Sequence, residues 1–180
     1  MPQISSYLKP DLPRDFAIQV ASYVRMQWPQ VFRGEPPLWE STPYANDCRH
    51  FVVTDGDVLI SHAIAVSRKL EHSGQTFNVY GLSSVFCYPS HRGRGFGEQV
   101  AAAATDYCRT QPGADFALLF CGERVHTMYL RLGWQHTDEI TVHYGDVNQP
   151  KRYGDGWLMG LFLSQRARDA RHPRRHADRA

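Results

Sequence analysis

The stretch FNVYGLSSVFCYPSHRGRGFGEQVAAAATDYCRTQPGADFALLFC (Phe77–Cys121) carries the pattern from which the architecture of this chain can be worked out. A β-rich run over Phe77–Tyr88 ends at Pro89, because proline cannot donate to a strand ladder. The alanine-rich run within Gly97–Thr110 has high helix propensity and one apolar face. Asp115–Cys121 is short and nearly continuously apolar, as buried strands are. This order of strand, loop, helix and strand predicts a βαβ unit with two parallel strands.

The residues before this unit predict one helix and one hairpin. Pro13–Trp28 has an apolar face at helical spacing, and proline suits its opening turn. Pro29–Arg49 contains several prolines, so it is a loop or a broken helix. His50–Thr54 and Val58–Arg68 are β-rich and are joined across an Asp-Gly dipeptide, which favours a tight turn between antiparallel strands.

The residues after the unit predict a second helix and two closing strands. Glu123–Leu132 is the helix, and Gly133 ends it. Trp134–Tyr144 and Trp157–Leu163 are the strands. The predicted order is therefore α, β, β, β, α, β, α, β, β, which indicates an α/β class with a mixed central sheet.

Length and composition exclude several classes of protein. A chain of 180 residues suits one domain. With 42% apolar and 21% charged residues, it is neither disordered nor collagenous. Its four cysteines form no CxxC pair, which favours reduced, buried thiols over disulfides or a zinc site. It has neither a long apolar run nor a signal-peptide pattern, so we expect a cytoplasmic protein that crosses no membrane.

The charge is unevenly distributed along the chain. The formal net charge is +2, but Arg166–Arg179 holds six arginines and two aspartates. The remainder then carries 14 basic and 16 acidic residues. We expect a single domain over 1–165 and a basic, disordered tail over 166–180, because the tail has almost no apolar side chains. A nucleic-acid-binding arm is the less favoured alternative.

A glycine-rich turn, HRGRGFG (His91–Gly97), lies between the first parallel strand and its helix. Backbone N–H groups in such a turn can converge on an anion at the helix N-terminus. No Gly-Lys-Ser/Thr follows, so it is not a Walker loop, and Gly93, Gly95 and Gly97 are evenly spaced, unlike GxGxxG. The turn therefore predicts a phosphate cradle other than that of an NTP or NAD, the alternative being a connection that binds nothing.

Two motifs carry a family resemblance. Arg92–Gly97, placed after a strand that ends in Val85–Cys87, resembles the acyl-CoA signature of the GCN5-related N-acetyltransferase (GNAT) family. Tyr129–Trp134, YLRLGW, is similar to that family's second motif, and the matching region spans about Val58–Tyr144. Within the family, YGLSSVFCYPSHRGRG and YGDGWLMGLFL look most like the aminoglycoside 2'-N-acetyltransferases.

The resemblance implies a fold and a co-substrate. The fold is the GNAT fold, a mixed sheet of about six or seven strands flanked by helices, whose splayed parallel strands bind acyl-CoA. Acetyl-CoA is the implied co-substrate, with no metal, and its thioester would lie between the two strands. The residues implied to hold its pyrophosphate are Arg92, Gly93, Arg94, Gly95, Phe96 and Gly97, and those implied to pair with its pantetheine arm are Val85, Phe86 and Cys87.

Acetyl transfer to an amine needs a neutral amine, a stabilised oxyanion and a proton for the departing thiolate. It needs no enzyme nucleophile. A backbone N–H near Phe86 or Cys87 would serve the oxyanion. Tyr129, at the family motif, is the candidate acid, because a phenol with a pKa of about 10 can return a proton to sulfur. The alternative is a core tyrosine with a satisfied hydroxyl.

The general base stays open. The resemblance leads us to expect a glutamate on the strand before the pyrophosphate loop, but Ser83 stands there with Ser84 beside it. A water relay through these serines could replace the carboxylate, or the amine could arrive neutral. Other residues that could serve instead are Glu123, His126 and Glu40. Histidines in strands and helices are more often structural, so none is assigned a catalytic role.

The acceptor pocket should come from residues 28–49, 68–76 and 138–157. A cationic acceptor would need carboxylates and stacking surfaces there, and the candidates are Trp39, Glu40, Ser84 and Asp155. The expected acceptor is a primary amine of a small molecule, with an aminoglycoside 2'-amine as the leading hypothesis. Alternatives are a peptide or protein amine, and a non-catalytic acyl-CoA-binding domain. A late strand such as 157–163 could pair across a homodimer.

Overall fold

The computed structural model describes residues 1–29, 46–137, 140–144, 148–149, 151–152 and 156–171. Two compact units make up the chain: residues 1–67 with 81–110, and 68–80 with 111 onward. The helices are α1 (Arg14–Gln27), α2 (Phe96–Thr110), α3 (His126–Arg131) and α4 (Gln165–Arg171). The strands are β1 (Gln3–Leu8), β2 (Arg49–Asp55), β3 (Val58–His72), β4 (Gln75–Cys87), β5 (Phe116–Cys121), β6 (Gln135–His136), β7 (His143–Tyr144), β8 (Lys151–Arg152) and β9 (Trp157–Phe162).

Seven of these strands form one mixed sheet in the order β1-β2-β3-β4-β5-β9-β6. Strands β1, β2 and β3 pair antiparallel, as do β5 with β9 and β9 with β6. Strands β4 and β5 are parallel. The mixed sheet, its strand number and its parallel pair, all predicted from the sequence, are confirmed. Strands β7 and β8 form a separate two-stranded ladder.

The first unit is built on the apolar face of α1. Val20, Tyr23 and Val24 recur at helical spacing and are buried against β-strand side chains that include Val52 and Phe86. Helix α2 likewise buries its alanine-rich face. The β2–β3 hairpin turns at Gly56, whose φ of +59° is a conformation that glycine adopts without strain. The sequence therefore places the helices and the hairpin correctly here.

The second unit packs aromatic side chains between its strands and α4. Phe116 of β5 meets Phe77 of β4 edge to face at 5.1 Å and Phe162 of β9 at 5.5 Å. Ala167 of α4 is fully buried in the same cluster. The Ser164 hydroxyl accepts the N–H of Ala167 at 3.2 Å and so caps the helix. Helix α4 thus covers the start of the segment expected to be a disordered tail, and residues 172–180 lie outside the described residues.

One strand was missed and two predicted elements differ from the structure. Strand β1 was missed, because its mostly exposed edge gives it a weak apolar pattern. The predicted strand 134–144 is wrong as one element, because β6 ends at His136 in the large sheet and β7 begins at His143 in the separate ladder. The helix predicted from residue 123 begins at His126, because the Val125 N–H first closes a turn onto the Gly122 carbonyl at 3.1 Å.

Candidate active site

The glycine-rich turn leads directly into α2 in the first unit. Gly93 and Gly95 have φ values of +74° and +82°, and a Cβ on either would meet nothing within 4 Å. Glycine is therefore required here by backbone conformation and not by lack of space. The first bond of the helix runs from the Gln99 N–H to the Gly95 carbonyl at 2.9 Å. The N–H groups of the opening turn have no partner within a helix and can bind an anion.

Arg92 ties this turn to β4 and α1. Its Nε donates to the Cys87 carbonyl at 3.1 Å, and its guanidinium donates to the Tyr23 hydroxyl at 2.7 Å. Tyr23 in turn stacks on Phe86 with ring centroids 4.1 Å apart. A Cβ on Gly97 would lie 3.7 Å from the Cys87 Cβ, so the turn also runs close to the end of the strand. The predicted cofactor residues of β4 and the turn thus lie together in the first unit.

Strand β4 has an irregular backbone at Ser84. Its φ is +49°, an uncommon conformation for a residue other than glycine and typical of a bulge. The Ser84 carbonyl accepts a hydrogen bond from His62 Nδ1 at 3.0 Å, and His62 is itself bonded to His50. Both imidazoles are fully buried. The sequence suggested a role for the side-chain hydroxyls of Ser83 and Ser84. In the structure, the hydrogen bond between Ser84 and His62 uses the backbone carbonyl of Ser84.

Tyr129 lies on α3 in the second unit and is 4% exposed. Burial raises the pKa of its phenol well above the ordinary value, and the neighbouring Cys121 thiol raises it further. The phenol is therefore fully protonated at neutral pH and has a proton to give. Burial, followed by the Glu123 carboxylate, raises the pKa of Cys121 to about 11. Cys121 is consequently a thiol and a poor nucleophile at neutral pH.

A second group of side chains stands at the end of β5. We call it the Glu123 cluster: Glu123, His126 of α3, His136 of β6 and Trp157 of β9. The Trp157 indole N–H donates to Glu123 Oε2 at 2.7 Å. His126 lies 5.7 Å from both the His136 and Trp157 rings, which are 4.5 Å apart. The Glu123 side chain is nevertheless 75% exposed, so a carboxylate oriented by an indole faces solvent.

Glu123 and His126 were predicted only as alternatives for the base, and their grouping with His136 and Trp157 was not predicted from the sequence. Trp157 follows Glu123 by 34 residues, so no local pattern could have paired them. Of the acceptor-site candidates, Trp39, Glu40 and Asp155 lie outside the described residues.

No cluster of His, Cys, Asp or Glu suited to a metal ion occurs among the described residues. No helix in the described part of the chain is long and apolar enough to cross a membrane.

Comparisons with known proteins agree with this geometry. The family model described as acetyltransferase (GNAT) domain matches residues 17–137, more than half of the chain. Escherichia coli ElaA has a similar structure, with a TM-score of 0.60, 15% identity and coverage of 89% of this chain and 99% of ElaA. Arabidopsis thaliana NAA60 in complex with acetyl-CoA is also similar, with a TM-score of 0.63, 13% identity and coverage of 91% of this chain and 99% of NAA60.

Arabidopsis thaliana glucosamine-6-phosphate N-acetyltransferase is a third similar structure, with a TM-score of 0.54, 14% identity and coverage of 81% of this chain and 99% of that one. Among curated proteins, no sequence matches this chain significantly. At such low identities the solved structures establish the fold, and the family model establishes the family. This chain therefore belongs to the GNAT family and is an acetyl-CoA-dependent N-acetyltransferase.

Proposed function

We propose that this enzyme acetylates a positively charged primary amine of a small molecule, with the 2'-amine of an aminoglycoside as the leading acceptor. The observation that carries the proposal is the Trp157–Glu123 contact of 2.7 Å, which orients an exposed carboxylate beside aromatic rings. An ammonium group is attracted both by a carboxylate and by an aromatic face. The Glu123 cluster therefore has the chemistry of an amine-binding site.

The glycine-rich turn supports the cofactor half of the proposal. The pyrophosphate of acetyl-CoA would accept hydrogen bonds from the amides of Arg92–Gly97, at the N-terminus of α2. The pantetheine arm would run along Val85–Cys87 as an added strand. The Arg92 bonds to Tyr23 and to the Cys87 carbonyl hold the turn in place before the cofactor arrives.

Tyr129 is the proposed acid. The amine nitrogen forms a bond to the thioester carbon, and the carbon–sulfur bond then breaks. The departing thiolate takes the phenolic proton of Tyr129, which leaves CoA as a free thiol. Burial raises the pKa of this phenol, so its proton is in place at neutral pH, and the same shift makes it a weaker acid toward the thiolate; its place in the YLRLGW motif is what supports the assignment.

The acceptor class is tested by thiol release from acetyl-CoA with a panel of amines. The panel contains aminoglycosides with and without a 2'-amine, polyamines, and short peptides. We expect turnover with the 2'-amine compounds. Turnover with peptides alone would contradict the small-molecule acceptor, and silence across the panel in a protein that binds acetyl-CoA would contradict the proposed acceptor class as well.

Two variants locate the roles within the site. Glu123→Gln should raise the KM for a cationic acceptor roughly tenfold while leaving the KM for acetyl-CoA unchanged. Asp57→Asn removes an exposed carboxylate from the β2–β3 turn and is the matched control. Tyr129→Phe should lower kcat roughly 10²-fold with intact acetyl-CoA binding. An unchanged kcat in Tyr129→Phe would refute the assignment of the acid.

A further inference from the structure

We propose that His126 is the general base, which takes a proton from the acceptor ammonium before it attacks the thioester. This inference rests on the proposed function, because it assigns the base for that same amine. The sequence left the base open between a serine relay, several titratable residues and an amine that arrives neutral. The geometry of the Glu123 cluster favours one imidazole.

The hydrogen bond at His126 Nδ1 determines the position of the ring proton. Nδ1 lies 2.6 Å from the backbone carbonyl oxygen of Glu123. A carbonyl oxygen can only accept, so Nδ1 must carry the hydrogen. In the neutral ring the lone pair is then on Nε2, at the opposite side of the imidazole. A histidine held in this tautomer by a backbone carbonyl is ready to accept a proton at Nε2.

The helix brings the base and the acid to one side. His126 and Tyr129 are three residues apart on α3, a spacing that places two side chains on the same helix face. The His126 side chain is 18% exposed, whereas Tyr129 is buried. One helix turn thus carries an imidazole within reach of an acceptor from solvent and a phenol in the interior. The imidazole is placed to take a proton from the amine, and the phenol is placed to give one to the thiolate.

The neighbours of His126 suit a group that gains a charge during the reaction. Glu123 Oε1 lies 3.8 Å from Nδ1, and its negative charge attracts the imidazolium. His136 on β6 is another titratable group that faces the ring, and Trp157 on β9 presents an aromatic surface to it. The carbonyl and the carboxylate of one residue therefore orient the base and stabilise its protonated form.

The proton balance closes without another reactant. The acceptor N–H bond breaks, and its proton goes to His126 Nε2. The free amine then attacks the thioester carbon, and the thiolate leaves with the proton of Tyr129. After the attack the nitrogen carries one proton more than the amide, and this proton is released as the amide forms and replaces the one that Tyr129 gave. His126 returns its proton to solvent, so the net products are an acetylated amine, CoA and one released proton.

Kinetics of His126→Gln test the base with the acceptor found in the panel. Near pH 7 we expect kcat/KM for the amine to fall roughly 10²-fold, with unchanged acetyl-CoA affinity. The loss should shrink as the pH rises above the pKa of the acceptor amine, because a neutral amine needs no base. His136→Gln removes another imidazole of the Glu123 cluster but leaves His126 in place, so it should lose much less activity, and the exposed His72→Gln is the distant control. A loss that is independent of pH, or one that appears in Ser83→Ala instead, would overturn the proposal.

A second measurement needs no acceptor. Long-range nitrogen–proton NMR spectra of the ¹⁵N-histidine-labelled protein report which ring nitrogen carries the proton, with His126→Gln identifying the signal. We expect a protonated Nδ1 and an unprotonated Nε2 in the neutral ring. The opposite tautomer would refute the base even if the amine panel succeeds, whereas the expected tautomer with a silent panel would refute only the proposed acceptor.

Discussion

His50 Nδ1 lies 3.0 Å from His62 Nε2 between neighbouring strands of the first unit, and both rings are fully buried. The direction of the proton in this contact can be worked out. The Ser84 carbonyl only accepts, so His62 Nδ1 carries a hydrogen and its Nε2 carries the lone pair. His50 Nδ1 must then donate to His62. His50 Nε2 is left as the acceptor facing the Cys48 thiol, 3.7 Å away. Two neutral imidazoles thus support the irregular backbone of β4.

The histidine pair predicts a loss of stability in mild acid. Burial, with a smaller contribution from Lys9, lowers the pKa of His50 to about 4, and burial with the repulsion of His50 lowers the pKa of His62 well below its usual value. The unfolded chain binds protons near pH 6.5, whereas the folded chain does not. The contribution of the neutral histidines to the free energy of unfolding is therefore fully present above about pH 6.5. It is lost as the pH falls toward about 4, and for His50 the loss is on the order of 3 kcal/mol.

Urea unfolding between pH 7.5 and 4.5 measures this effect. His50→Gln removes one titrating ring but keeps a donor for His62, so its unfolding free energy should change less steeply with pH than that of the wild type. His72→Gln, an exposed imidazole in the β3–β4 hairpin, should follow the wild-type slope. Equal slopes for the wild type and His50→Gln would mean that His50 does not titrate as described.

Gly95→Ala should weaken acetyl-CoA binding more than its cost in stability explains. Gly95 has a φ of +82° and open space around a new Cβ, and Gly56 in the β2–β3 turn has a φ of +59° and equally open space. Both alanine variants should cost about 1 kcal/mol of unfolding free energy. Only Gly95→Ala should raise the Kd for acetyl-CoA, by roughly tenfold, because it disturbs the amides at the start of α2. Calorimetric titration of both variants decides this, and matching Kd values would contradict the phosphate cradle.

Tyr23→Phe should loosen Arg92 without disturbing the core. The variant keeps the ring stacked on Phe86 at 4.1 Å but removes the hydroxyl that accepts from the Arg92 guanidinium. Without this hydrogen bond Arg92 is held less firmly, which should cost about 1 kcal/mol of binding free energy and raise the Kd for acetyl-CoA about fivefold. The control is Tyr88→Phe, whose hydroxyl donates instead to the Gln19 carbonyl at 2.8 Å. If Tyr88→Phe weakens acetyl-CoA binding equally, the effect belongs to the core and not to Arg92.

The parts of the fold that local sequence encodes were predicted correctly. Alanine-rich α2, the turn at Gly93 and Gly95, and the apolar strand β5 each depend on residues close together in the chain. The features that were missed depend on distant pairing. The Glu123–Trp157 contact joins residues 34 apart, and the His50–His62 contact depends on the β2–β3 register. Such pairs cannot be read from spacing, because the register determines which side chains meet.

The packing of the C-terminal helix α4 also depends on residues far apart in the chain. Composition suggested a disordered basic tail, since α4 contains few apolar residues, but one small residue, Ala167, is fully buried there. The Arg166 guanidinium lies 4.4 Å from the Phe77 ring centroid and also bonds the Thr76 carbonyl. It pairs with buried Asp115 at 3.4 Å, which the Ser164 hydroxyl also bonds at 2.7 Å. These polar and cation–π contacts hold α4 in place although its sequence contains few apolar residues.

Ala167→Asp should therefore lower the unfolding free energy by about 3 kcal/mol or more, because it buries an unpaired carboxylate. Arg166→Ala should cost about 1 kcal/mol, since its half-exposed ion pair with Asp115 is screened by solvent. The control is Asp169→Ala, on the exposed side of α4, which should stay within about 0.5 kcal/mol of wild type. Chemical denaturation of the three variants gives the values. Equal stability for Ala167→Asp and wild type would mean that α4 does not pack as described.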